Sequence, residues 1–141
     1  MTPQMIPQMT LSLACTAFAR SLRFYTDVLG FTTMRYEPDL RRAALERDGL
    51  SIEITEASAP GRAAPDAPEY PFGRGVTILI WTQDAEAVLS GVEAYGGRVH
   101  QPMAESWREE DGQKIGHIAF EVLDPDGYRL RFCQALPPAR H

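Results

Sequence analysis

The chain is short of the residues on which small proteins usually build metal sites, disulfides or nucleic-acid contacts. Its two cysteines, Cys15 and Cys133, lie far apart and match no metal-binding or redox spacing, so they read as buried free thiols of a reducing compartment. Lys and Arg are scattered rather than clustered and the formal charge is −5, so the electrostatic footprint of a nucleic-acid binder is missing. Mild acidity serves solubility, and it would also favour a cationic ligand. The start, Met-Thr-Pro-Gln-Met-Ile-Pro-Gln-Met, has neither a basic segment nor a long apolar run. No signal peptide or membrane span is therefore expected, and the cytoplasm follows by default.

What the sequence does contain suffices for a core. At 141 residues, 44% hydrophobic and 23% charged, it fits one domain, or one domain of two similar halves, that folds without metal or disulfide. The strongest local signal is Asp124-Pro-Asp-Gly-Tyr-Arg-Leu-Arg-Phe-Cys133. Proline pre-sets one turn angle, Asp bonds local amides and Gly tolerates positive φ, so this stretch is a tight turn launching a strand. In that strand Tyr128, Leu130 and Phe132 alternate with Arg129, Arg131 and Cys133, the period of a half-buried strand.

The same periods organise the first half. Leu11, Leu13 and Cys15 alternate with Thr10, Ser12 and Ala14, which predicts a short strand. Phe18, Leu22, Tyr25 and Leu29 fall at three- and four-residue spacing with Arg20, Arg23 and Asp27 on the other side, which predicts a helix stopped by Gly30. Phe31 to Tyr36 predicts a strand with Pro38-Asp39 as its turn, and Ala43 to Arg47 and Leu50 to Thr55 flank the hairpin signal Asp48-Gly49. The order is βαβββ. From Glu56 to Gly75, four prolines and three glycines read as a linker or functional loop, near whose end Tyr70 and Phe72 serve as anchors or as ligand contacts.

The second half repeats the order. Val76 to Thr82 predicts a strand, Asp84 to Tyr95 a helix stopped by Gly96-Gly97, and Arg98 to Met103 a strand. Trp107 to Lys114 reads as a charged connection, Ile115 to Leu123 as a strand, and the turn at Asp124 launches the last. An internal repeat decides the fold class. The expected class is α+β, with two βαβββ repeats, each a curved four-stranded mixed sheet with a helix on its outer face. Repeat one covers 10–56, a linker loop 57–75 and repeat two 76–134, within a single domain spanning 1–141. Apolar strand faces would pack on the helices and leave Thr10, Ser12, Ser51, Glu53, Thr55, Thr77, Leu79, Trp81, Arg129, Arg131 and Cys133 to line a cavity.

Ser21-Leu-Arg-Phe-Tyr-Thr-Asp-Val-Leu-Gly-Phe31, Gly96-Gly-Arg-Val99 and Asp124-Pro-Asp-Gly-Tyr-Arg-Leu130 resemble the vicinal oxygen chelate superfamily of glyoxalases, extradiol dioxygenases, fosfomycin-resistance enzymes and bleomycin-resistance proteins. The resemblance runs from Thr10 to Gln134. It implies a metal site at four inward positions filled by His, Gln or Glu in the metalloenzymes, and these fall here on Thr10, Glu53, Thr77 and Arg131. Only Glu53 is of a usual ligand type, and a guanidinium, always protonated, repels a cation. His100, His117 and His141 do not repair the set, since solvated or hydrogen-bonded roles suit them better. No metal and no other cofactor is expected.

In place of a metal, the resemblance implies a Glu53–Arg131 pair across the cavity floor. Such a pair either satisfies two partly buried charges or holds a polar ligand, a carboxylate on the arginine fork for example. Trp81 has cavity parity on its strand, and Trp107 stands in a polar stretch where no core requires an indole, so both are candidates for stacking on flat ligands. The implied function is metal-free sequestration of a small planar or cationic drug or metabolite by a homodimer, with no catalytic residue. The alternative is a metal-dependent or metal-free lyase, isomerase, hydrolase or dioxygenase, with Glu53 as general base in the metal-free case. Burial would raise that carboxyl and a neighbouring arginine would lower it. A sensor or partner domain is a third class, without positive support in the sequence.

Overall fold

The computed structural model describes residues 9–58 and 69–138, so His141 and much of the linker expected at 57–75 lie outside the described residues. The chain divides into two units, 1–68 and 69–141, each with its own four-stranded sheet. In the first unit, β1 (Leu11–Cys15), β2 (Thr32–Glu37), β3 (Arg42–Arg47) and β4 (Leu50–Glu56) lie in the order β1-β4-β3-β2. β1 runs parallel to β4 and the other pairs are antiparallel. Leu13, Cys15, Ala43, Leu45, Ile52 and Ile54, the residues of the apolar period, are buried. Asp48 and Gly49 both take positive φ, at 48° and 81°, as a two-residue hairpin turn requires.

The helix of this unit differs from the single helix its pattern predicts. It starts as α1 (Phe18–Arg23) and continues as a π-helical turn over Phe24–Val28. The widened turn shows in the bond from the Leu29 N–H to the Phe24 carbonyl at 3.0 Å, and Thr26 Oγ1 donates to the Leu22 carbonyl at 2.7 Å. Consecutive side chains on an α-helix diverge by about 100°. Phe24 and Tyr25 are nonetheless both buried and meet edge to face, and Phe31 meets Tyr25 in the same way. At the other end Ala17 has no side chain able to cap the helix, and β4 supplies the acceptor. Glu56 Oε2 accepts from the Phe18 N–H at 3.1 Å, while Oε1 takes Arg41 at 2.7 Å and Ser58 at 3.1 Å. The Phe18 amide is the main reason the Glu56 carboxyl lies below its ordinary range, with Ser58 and Arg41 acting in the same direction against burial.

The second unit has the same order: β5 (Thr77–Trp81), α2 (Ala85–Tyr95), β6 (Arg98–Glu110), β7 (Gln113–Leu123) and β8 (Arg129–Ala135), in the sheet order β5-β8-β7-β6. Again the first strand is parallel to the last and the rest are antiparallel. Asp84 caps α2 by accepting from the Ala87 N–H at 3.0 Å, Gln134 Oε1 accepts from the Ala85 N–H at 2.9 Å, and Gly96 closes the helix at φ 82°. Ile78, Ile80, Val88, Val92, Phe120, Leu130 and Phe132 form the core.

The charged connection expected at Trp107 to Lys114 is instead part of a long hairpin. β6 runs on to Glu110, the chain turns on Asp111 and Gly112 at φ 52° and 78°, and β7 pairs with it from Gln113 onward. The Asp124 turn forms as expected, with Asp124 Oδ1 accepting from the N–H groups of Asp126 at 2.8 Å and Tyr128 at 2.9 Å. Phe72 docks on it: its N–H reaches the Asp126 carbonyl at 2.9 Å and its ring meets Tyr128 edge to face. Phe72 is therefore an anchor. Tyr70 is half exposed, and its hydroxyl accepts from Arg98. Among the described residues no helix is long and apolar enough to cross a membrane.

Candidate functional site

In the first unit the strand face away from the core is charged and internally paired. Glu53 on β4 stands opposite Ala44 on β3, and Arg35 on β2 stands opposite Ala44 from the other side. The alanine leaves room for contact across it, and Arg35 Nη2 reaches Glu53 Oε2 at 2.8 Å. Arg35 Nε also holds Glu37 at 2.6 Å, and Glu37 takes Arg42 through two bonds at 3.2 and 3.1 Å. The Arg42 bonds and charge, helped by Arg35, keep the Glu37 carboxyl below its ordinary range. Glu53 thus has an arginine within its own sheet, Arg35, which was not among the expected partners. Thr10 is exposed, with its hydroxyl 3.2 Å from that of Ser51.

In the second unit the corresponding face has a different character. Arg131 on β8 stands opposite Leu79 on β5 and Glu121 on β7, while Arg129 stands opposite Thr77. Glu121 is only 2% exposed, and its Oε2 receives Arg129 Nε at 3.1 Å and lies 3.6 Å from His100 Nε2. The half-buried Arg131 guanidinium lies near the Cys133 thiol and has no carboxylate partner among the described residues. Trp81, 56% exposed at the end of β5, meets the imidazole of His117 edge to face at 5.9 Å. His117, for which a solvated or hydrogen-bonded role was expected, is an aromatic neighbour of Trp81. Cys133, opposite Trp81, is buried, and burial pushes its thiol up.

Trp107 does not join this face. It pairs with Gly116, the residue before His117, and consecutive strand residues point to opposite faces. Its Nε1 donates to Glu105 at 2.7 Å. Of the six expected site residues, the second sheet therefore brings together Thr77, Trp81 and Arg131, the first sheet holds Thr10 and Glu53, and Trp107 lies on the other side of the hairpin. Glu121, His117 and Arg35 were not among the expected residues. The signal for the first two was parity on β7, which places both in register with β8 on the arginine face.

The four positions implied for a metal do not fit one. Thr10 and Thr77 present hydroxyls, Glu53 is already bound by Arg35, and Arg131 is a cation. Among the described residues no group of three or more His, Cys, Asp or Glu is placed to hold an ion.

The family model of the Glyoxalase/Bleomycin resistance protein/Dioxygenase superfamily matches residues 8–132. The chain belongs to this superfamily. Solved structures share its fold at low identity. TioX from Micromonospora sp. ML1 is 20% identical over 91% of this chain and 98% of its own, with a TM-score of 0.65. A virulence protein from Salmonella typhimurium is 20% identical over 94% of this chain and 100% of its own, at 0.64. A glyoxalase/bleomycin resistance protein/dioxygenase from Alicyclobacillus acidocaldarius is 16% identical over 95% and 96%, at 0.66. At these identities the likeness extends to the fold alone. No curated protein matches the chain.

Proposed function

We propose that this superfamily member is a non-catalytic binding protein that sequesters a small planar molecule, without metal, on the arginine and tryptophan face of its second sheet. The observation that carries this is Trp81, a large indole left 56% exposed on a strand, steadied by His117 and close in register to Arg131. Leu79, equally exposed, extends the apolar floor between them. A catalytic role for Glu53 is disfavoured by Arg35, which already occupies one carboxylate oxygen at 2.8 Å. A homodimer in the cytoplasm, binding one small molecule per chain, completes the proposal.

Titration with a panel of planar antibiotics and aromatic metabolites, followed by tryptophan emission, tests it. At least one compound should quench saturably and be recovered intact, and Trp81→Ala should weaken its binding about tenfold or more. Consumption of the compound over time would identify an enzyme instead. Unchanged affinity in Trp81→Ala would remove the face from consideration.

A further inference from the structure

We infer that the ligand of this face is an aryl carboxylate, held by its anion on Arg131 and by its ring against Trp81. This rests on the binding role just proposed and adds the charge and shape of the ligand.

The charge follows from which partners are already taken. Glu121 is the buried carboxylate of the face, and it is engaged by Arg129 and approached by His100. Arg131 lies directly opposite Glu121 in register, yet among the described residues its guanidinium has no carboxylate partner and acts only on the neighbouring Cys133 thiol. Glu121, Arg129 and Arg131 comprise two cations and one anion. The chain as a whole carries −5, which would favour a cationic ligand, but a ligand meets the local field. A half-buried guanidinium with open donors attracts an anion, and its planar fork fits the two oxygens of a carboxylate.

The shape follows from the register. Arg131 is opposite Leu79, and Trp81 is two residues farther along the same strand. With a rise of about 3.3 Å per residue and about 4.8 Å between strands, the Cα atoms of Arg131 and Trp81 are roughly 8 Å apart. A fused aromatic ring with a carboxylate at one end covers that span, with Leu79 beneath it. The imidazole of His117 meets the Trp81 ring edge to face, which leaves indole surface for a stacked ring.

Calorimetric titration of the full chain with 2-naphthoate, 2-naphthamide and 2-naphthylmethylammonium separates charge from shape. Naphthoate is expected to bind about tenfold or more tightly than the amide, and the ammonium compound more weakly than either. Arg131→Gln should abolish the preference for the carboxylate, Arg131→Lys should keep part of it, and Trp81→Leu should weaken naphthoate and naphthamide alike. Equal binding of the acid and the amide by the wild type overturns the inference and leaves the binding role standing. A preference that survives Arg131→Gln overturns the assignment to Arg131. No binding of any of the three overturns the inference, and the antibiotic and metabolite panel then decides the binding role separately. If Arg131→Gln does not fold, Arg131→Lys and the wild-type preference carry the test.

Discussion

Trp107 lies across the hairpin over Gly116, so close that a Cβ on that glycine would fall 2.5 Å from the indole Cε3. The ring occupies the space that the absent side chain leaves, and the glycine is what lets it lie there.

Gly116→Ala should therefore displace the indole. Because Trp107 is 43% exposed, the ring can swing outward, and a cost of about 1 kcal/mol is expected. Near-ultraviolet circular dichroism should lose the Trp107 contribution. In a Trp107→Ala background the same alanine should cost nothing or stabilise the strand, as alanine improves on glycine there. An equal cost in both backgrounds would disprove the contact.

Arg129 and Glu121 should respond unequally to truncation. Glu121 is 2% exposed and Arg129 41%, so removing the arginine takes away the ion-pair partner of a buried carboxylate. Arg129→Ala should cost about 2–3 kcal/mol and Glu121→Gln about 1 kcal/mol, since the exposed guanidinium can turn to water. Urea unfolding of both variants measures the difference, and the reverse ranking would show that Glu121 is stable without its arginine.

Glu56 should give the first unit an acid-sensitive component. Its folded carboxyl lies below the ordinary value of 4.5 because it accepts from the Phe18 amide, Ser58 and Arg41. The carboxylate is thus stabilised by folding, its contribution is present above the unfolded value, and it is lost as pH falls through the folded one. Glu56→Ala should cost about 1 kcal/mol at pH 7 through loss of the helix cap. The gap between variant and wild type should narrow below about pH 4.5. Denaturant midpoints at pH 7 and pH 3 check this, and a gap independent of pH would show that the charge is immaterial.

Strands with one greasy face were legible because alternation of Leu130 and Phe132 with Arg129 and Arg131 has only one geometric outcome. Asp48-Gly49 was legible as a turn for the same reason, since apolar alternation flanks it. Asp111-Gly112 carries the same dipeptide and makes the same positive-φ turn, but Arg108, Glu109, Glu110 and Lys114 around it have no buried face to set a period. Glu121 was missed because a carboxylate in a strand reads as solvent-facing, and only its three-dimensional neighbours reveal it as buried. The Arg35–Glu53 pair was hidden because Ala44, the small residue between them, comes from a third strand. The family motifs carried the fold and stopped short of the site, where side chains rather than turns differ.

The π-helical turn bears on how the first helix reaches its strand. From Phe18 to the positive-φ Gly30 that ends the first helix is one residue more than from Ala85 to the equivalent Gly96. A turn closed from residue i to i+5 holds one residue more than an α-turn, so the additional residue is taken up inside Phe24–Val28 and the chain still reaches Gly30 and its strand with Phe24 and Tyr25 both in the core.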